Sequence, residues 1–223
     1  MARLFLQGPV VAILLTGVVA QTAKPPQLAR IVDAHYNHLH SLQADFVEVV
    51  RSGHDVRTES GEVYLQKPGR MRWDYRQPHV KTFRVAGKTV WLYVDGERQA
   101  QRTTVKNLDG LQSPLRLLLG HTHLSKEINE LRLSSEAPLE VTDVVLEGAP
   151  RAMADLYRAI RLEVTPQGII TRLQLWQVDG TEVDLRLSHL RENVIFPAAW
   201  FHFAPPPGVE IVAGEILDGA GEE

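Results

Sequence analysis

The first residues that could do chemistry are histidines. His35, His38 and His40 lie close together, and His121 and His123 flank a threonine. Imidazoles at such spacings are what a zinc site uses, and His35 and His38 would share one helix face. However, the His-Glu-x-x-His pattern is absent and no carboxylates stand at ligand spacing, so these read as surface histidines and no metal or other cofactor is expected. A serine hydrolase needs a nucleophile on a tight strand-to-helix turn, and no Gly-x-Ser-x-Gly occurs. Ser60-Gly61 reads as a turn, Ser113-Pro114 as a helix cap, and Asp143 with Glu147 as ordinary surface charge. The chain has no cysteine, which excludes disulfides, thiolate metal sites, thiol nucleophiles and a lipidated N-terminal cysteine. Glycine-rich phosphate loops are missing. A net charge of −3 draws the chain neither to nucleic acid nor to an anionic membrane. No enzyme and no nucleic-acid partner are expected.

What the chain does carry is apolar pattern. Hydrophobic residues make up 44% of its 223 residues, enough for one large β domain with a core or a lined cavity. Leu28, Ile31, Val32, His35, Tyr36, Leu39 and Leu42 recur at helical steps after an extended Lys24-Pro25-Pro26 leader, so an amphipathic helix is expected over 28–42. The period then changes to two. Strands are expected at about 44–51, 61–66, 70–77, 80–86, 89–95 and 99–105, then at 125–133, 139–146, 156–165, 169–178 and 181–190, with a short one at 200–203. Short Gly, Pro and Asp turns separate most of them, which implies antiparallel hairpins. Residues 147–155 read as a loop, and a second, leucine-rich helix is expected at 113–119.

In the third expected strand Met71, Trp73 and Tyr75 face one way, and Arg70, Arg72 and Arg76 the other. Phe83 and Val85 continue the apolar face, as do Val90, Leu92 and Val94. The apolar row suits either an ordinary core or a concave surface that shelters acyl chains beneath a helical lid. The arginine row suits either a solvated face or the docking of an acidic partner.

The N-terminus reads as a secretory signal. Arg3 precedes the apolar stretch 10–20, and Val18 and Ala20 are small enough for a signal peptidase site. The stretch is shorter than the roughly 20 apolar residues of a membrane span. The expected organisation is therefore a cleaved signal at 1–20, one domain at 21–212 and a frayed acidic tail at 213–223.

The run from Gly61 through Lys67-Pro68, Met71, Trp73 and Tyr75 to Pro78 resembles the signature of the LolA family. Gly87 to Tyr93, Ser113 to Leu118 and Phe201 to Val209 agree with it in order and spacing. The resemblance implies a mainly β (α+β) fold, an unclosed antiparallel barrel of about eleven strands with a helical lid over an apolar cavity. It implies a periplasmic carrier that takes acylated lipoproteins from an inner-membrane ABC transporter and delivers them to an outer-membrane acceptor, acting as a monomer. Met71, Trp73, Tyr75, Phe83, Val85 and Leu92 would line the cavity, facing Tyr36 and Leu39 on the first helix and Leu115 and Leu118 on the lid. Where many family members latch the lid backbone with arginine, this chain has Lys67, which keeps the charge but loses the planar fork. A carrier of another lipid, a glycolipid or pigment precursor, fits the same residues.

Overall fold

The computed structural model describes residues 24–105, 123–151 and 154–213. Helix α1 (Pro25–His38) starts where Lys24 is still extended and prolines occupy its first positions, and it buries Leu28, Ala29, Val32 and Tyr36. It stops four residues earlier than expected, because strand β1 (Ser41–Ser52) takes Leu42 and pairs it with Leu65 on one side and Glu192 on the other. Leu42 fits both the helical stripe and the strand alternation, and the two-sided ladder decides between them.

The strands that follow are β2 (Asp55–Gln66), β3 (Arg70–Gln77), β4 (Lys81–Ala86), β5 (Thr89–Val94), β6 (Gln99–Thr104), β7 (Ile128–Leu133), β8 (Val144–Pro150), β9 (Tyr157–Val164), β10 (Ile170–Gln177), β11 (Glu182–Glu192) and β12 (Glu210–Ala213). They form one twelve-stranded sheet in the order β12-β6-β5-β4-β3-β2-β1-β11-β10-β9-β8-β7. Two antiparallel meanders are thus joined through the β1·β11 pair. Only β12 runs parallel to its neighbour, β6. The edges β12 and β7 do not pair, so the sheet stays unclosed. It nevertheless curls on itself, since Trp73 of β3 and Leu162 of β9 belong to the same buried cluster as Val32 and Tyr36 of α1.

Residues 147–150, read as loop, extend β8, and residues 55–60, with the Ser60-Gly61 read as a turn, extend β2 along its hairpin with β1. Three further segments differ for identifiable reasons. Residues 139–143 leave the sheet because the Glu163 carboxylate accepts the backbone N–H groups of Leu139 and Glu140, at 2.7 and 3.2 Å. Residues expected to open β7 form a helical turn, α2 (Leu124–Glu127), whose Leu124 N–H donates to Asp33 Oδ1 of α1 at 2.8 Å. Residues 200–203 are not a strand. Ala198–Phe201 is a 3-10 turn lying on the outside of the sheet, where Phe196 and Trp200 pack against Tyr64. The strand in this region is β12, further along, and the sheet has twelve strands where the family resemblance implied about eleven.

Gly61 marks the tightest point. The ladder between β2 and β3 shifts register there, and a Cβ on Gly61 would sit 2.0 Å from the Asp74 carbonyl oxygen. On the same face its cross-strand partners are Phe46 and Tyr75, whose rings meet edge-on at 5.0 Å. Gly61→Ala should therefore force the two backbones apart and cost about 3 kcal/mol of stability in urea unfolding.

Candidate functional site

The inner face of the sheet can be laid out in rows from the strand registers. One row runs Leu42, Leu65, Met71, Val85, Val90 across β1 to β5. The next runs Ala44, Val63, Trp73, Phe83, Leu92, Gln101, and the third holds Phe46, Gly61, Tyr75 and Lys81. Successive rows lie about 7 Å apart, two residues along a strand. Met71, Trp73, Tyr75, Phe83, Val85 and Leu92 are all buried, and with Tyr36 and Leu39 they form part of one cluster. These eight sequence-derived residues are brought together. Leu115 and Leu118 lie outside the described residues, as does the expected lid helix at 113–119.

The rows grade from hydrocarbon to charge. The first adjoins the C-terminal end of α1, which leads through Leu39 into β1. At the other end, Lys81 Nζ lies 2.7 Å from Glu59 and 4.2 Å above the Tyr75 ring, and buried Glu48 stands opposite Glu59. Sequence reading missed this ionic end and missed Phe46, whose ring packs edge-on against Trp73 at 4.6 Å. The alternation Leu42, Ala44, Phe46, Glu48 in β1 was the available signal, and Lys81 was legible as the residue two before Phe83.

Tyr36 holds α1 over this face. Its hydroxyl accepts the Ile170 N–H of β10 at 3.0 Å, and burial pushes its pKa up. Its backbone carbonyl accepts the Lys67 ammonium, while the Lys67 N–H donates to His40 O at 2.9 Å. Lys67 therefore ties the β2–β3 turn to α1, and burial pushes its ammonium pKa down. The lid latch expected of this lysine concerns 113–119, which lies outside the described residues; the bond described here is to the first helix.

The histidines disperse. His35 Nε2 pairs with Glu192 at 2.8 Å, His38 Nδ1 meets the Ala34 carbonyl at 2.7 Å, and the His40 N–H donates to Asn193 Oδ1 at 3.0 Å. His123 is exposed beside α2, and His121 lies outside the described residues. Among the described residues no three His, Asp or Glu side chains gather as metal ligands. The outward arginines have internal partners: Arg70 with Gln66, Arg72 with Asp74, and Arg76 with Glu62. Arg84 joins Arg72 on Asp74, and both donate to the Trp200 carbonyl, at 2.6 and 3.4 Å, fastening the C-terminal segment to the outer face.

Two variants test this anchoring. Tyr36→Phe leaves the Ile170 N–H buried without an acceptor and should cost about 2 kcal/mol in chemical denaturation. Lys67→Met should speed hydrogen exchange in the last turn of α1, with a stability loss of about 1–2 kcal/mol, while exchange in the central strands stays slow.

The family model described as outer membrane lipoprotein carrier protein LolA matches residues 37–204. An outer-membrane lipoprotein carrier protein of Chromobacterium violaceum is 28% identical over 200 residues, covering 89% of this chain and 94% of its own length. One from Nitrosospira multiformis is 27% identical over 177 residues, covering 78% and 82% respectively. A solved LolA-superfamily protein from Nitrosomonas europaea aligns over 81% of this chain and 98% of its own, with 12% identity and a TM-score of 0.43. The matched stretch runs from the end of α1 through β11 to the 3-10 turn, so it contains the graded inner face and its Lys67 tether, and the chain belongs to the LolA family.

Proposed function

We propose that the protein is a periplasmic carrier that shelters the acyl chains of lipoproteins and moves them from the inner to the outer membrane. The observation that carries this reading is the inner face of an unclosed sheet, lined row on row by Met71, Trp73, Phe83, Val85 and Leu92 and spanned by a single helix of more than one turn among the described residues. Apolar lining of this kind takes hydrocarbon without specific polar chemistry, at roughly 0.8 kcal/mol per buried CH₂. Relatives covering most of the chain bear the name outer-membrane lipoprotein carrier protein, which supports the lipoprotein as cargo.

In this reading residues 1–20 direct export and are cleaved. Among the described residues no helix is long and apolar enough to cross a membrane. The carrier works as a monomer and needs no cofactor or nucleotide of its own. Cargo enters from an inner-membrane ABC transporter, and its chains spread α1 and the 113–119 segment, with Leu115 and Leu118, away from the sheet. The polar head group leaves through the Glu59–Lys81 end. Affinity stays intermediate, because an outer-membrane acceptor must win the chains.

Native mass spectrometry of lipid-stripped mature protein mixed with a synthetic diacyl lipopeptide should show a one-to-one complex. Leu92→Asp, which puts a charge among the hydrocarbon rows, should weaken that complex more than tenfold while circular dichroism keeps the β signature. Failure of the unmodified protein to bind lipopeptide would overturn the carrier reading. Retention of a glycolipid in preference to lipopeptide would reassign the cargo.

A further inference from the structure

The middle row of the inner face holds polar atoms that find no hydrogen-bond partner among the described residues. Trp73 is 2% exposed, and its indole Nε1–H is buried without an acceptor among the described residues. At the far end of the same row, the Gln101 side-chain oxygen is also buried without a donor. Buried indole N–H groups usually find a partner, and leaving one unmade costs about 1–3 kcal/mol. By contrast, the half-buried Trp176 donates its Nε1–H to Glu182 at 2.9 Å. Trp73 is instead surrounded by rings. Phe46 meets it edge-on at 4.6 Å, and Tyr75 stacks beside it at 6.1 Å.

Its place in the gradient indicates what the N–H awaits. Toward α1 the neighbouring row is Leu65, Met71 and Val85, and toward the opposite end stand Tyr75 and the Lys81–Glu59 ion pair. An acylated amphiphile lying along the strands puts its methylenes on the first row and its head group at the ion pair. The atom between them, level with Trp73, is the acyl carbonyl oxygen. We propose that Trp73 is a specificity residue whose indole N–H donates a hydrogen bond to an ester or amide carbonyl of the cargo's acyl group. The site then distinguishes acyl chains from bare hydrocarbon, which the apolar rows by themselves cannot do. This inference rests on the carrier reading above.

The test compares four synthetic lipopeptides of equal chain length, in two pairs. One has two ester-linked chains and a free amino terminus. The second has the same chains ether-linked. The third keeps the ether chains and adds an N-terminal amide-linked acyl group, to be compared with an N-alkyl control. Wild-type protein should bind a carbonyl-bearing form about five- to tenfold tighter than its carbonyl-free counterpart. The form showing the preference, ester or amide, identifies the source of the carbonyl. Trp73→Phe keeps an aromatic ring without the N–H and should bind each pair alike. In case that variant folds poorly, the Trp73 indole proton of ¹⁵N-labelled wild-type protein should move downfield with the preferred lipopeptide and not with its carbonyl-free control. Equal affinities for wild type, or a preference that survives Trp73→Phe, would overturn the proposal while leaving the carrier intact. Binding of none of the lipopeptides would overturn both.

Discussion

One residue joins the two halves of the sheet across their concave side. The Tyr36 hydroxyl accepts a backbone N–H from β10, 134 residues away, and its carbonyl accepts the Lys67 ammonium from the β2–β3 turn. The half built from β1 to β6 and the half built from β7 to β11 share a single ladder, β1·β11. A ladder is a hinge as well as a bond, since it leaves the curl of the sheet free to open. Tyr36 closes that freedom. The hydroxyl bond is buried, so breaking it orphans the Ile170 N–H, while the Lys67 bond is part-buried at the mouth of the turn. Further ties from α1 follow: His35 to Glu192 of β11, and Asp33 to the first amide of α2.

The curl creates the problem that the interior must answer. A sheet this wide presents more apolar face than one fourteen-residue helix covers. Large rings fill part of the space, and Gly61 gives up a side chain so that Phe46 and Tyr75 can meet. The face is not uniform. Hydrocarbon lies near α1, and an ion pair with a second carboxylate beside it lies at the other end. Burying charge next to a hydrophobic row costs stability unless the charges are paired, as Lys81 and Glu59 are here. A gradient of this kind matches an amphiphile better than it matches a plain core.

Leaving the barrel open exposes two edges, and each is blunted. β12 is only four residues long. β7 breaks register between Asn129 and Arg132, with Glu130 at a φ of 52°, and it carries charged side chains. Such features discourage pairing with a second chain. The segment leading to β12 is held against the outer face by the Arg72 and Arg84 bonds to the Trp200 carbonyl and by Phe203 packing on Trp91 at 5.5 Å. The arginines that look in sequence like a docking stripe are thus largely engaged within the molecule.

The sequence by itself determined the period-two hairpins, the inward set Met71, Trp73, Tyr75, Phe83 and Val85, and the absence of thiol, nucleophile-elbow and phosphate-loop chemistry. These are local properties: alternation assigns a face and a turn assigns a hairpin, whatever lies elsewhere. Only the tertiary structure decided where α1 ends, because Leu42 belongs to whichever pattern finds ladder partners. The same holds for residues 139–143, drawn off by the Glu163 carboxylate, and for β12, which exists because β6 offers an edge. It also decided that Lys67 grips α1 and that Trp73 sits between hydrocarbon and charge with its N–H unmade. Each of these depends on a partner far away in the chain, and periodicity carries no record of which distant group will arrive.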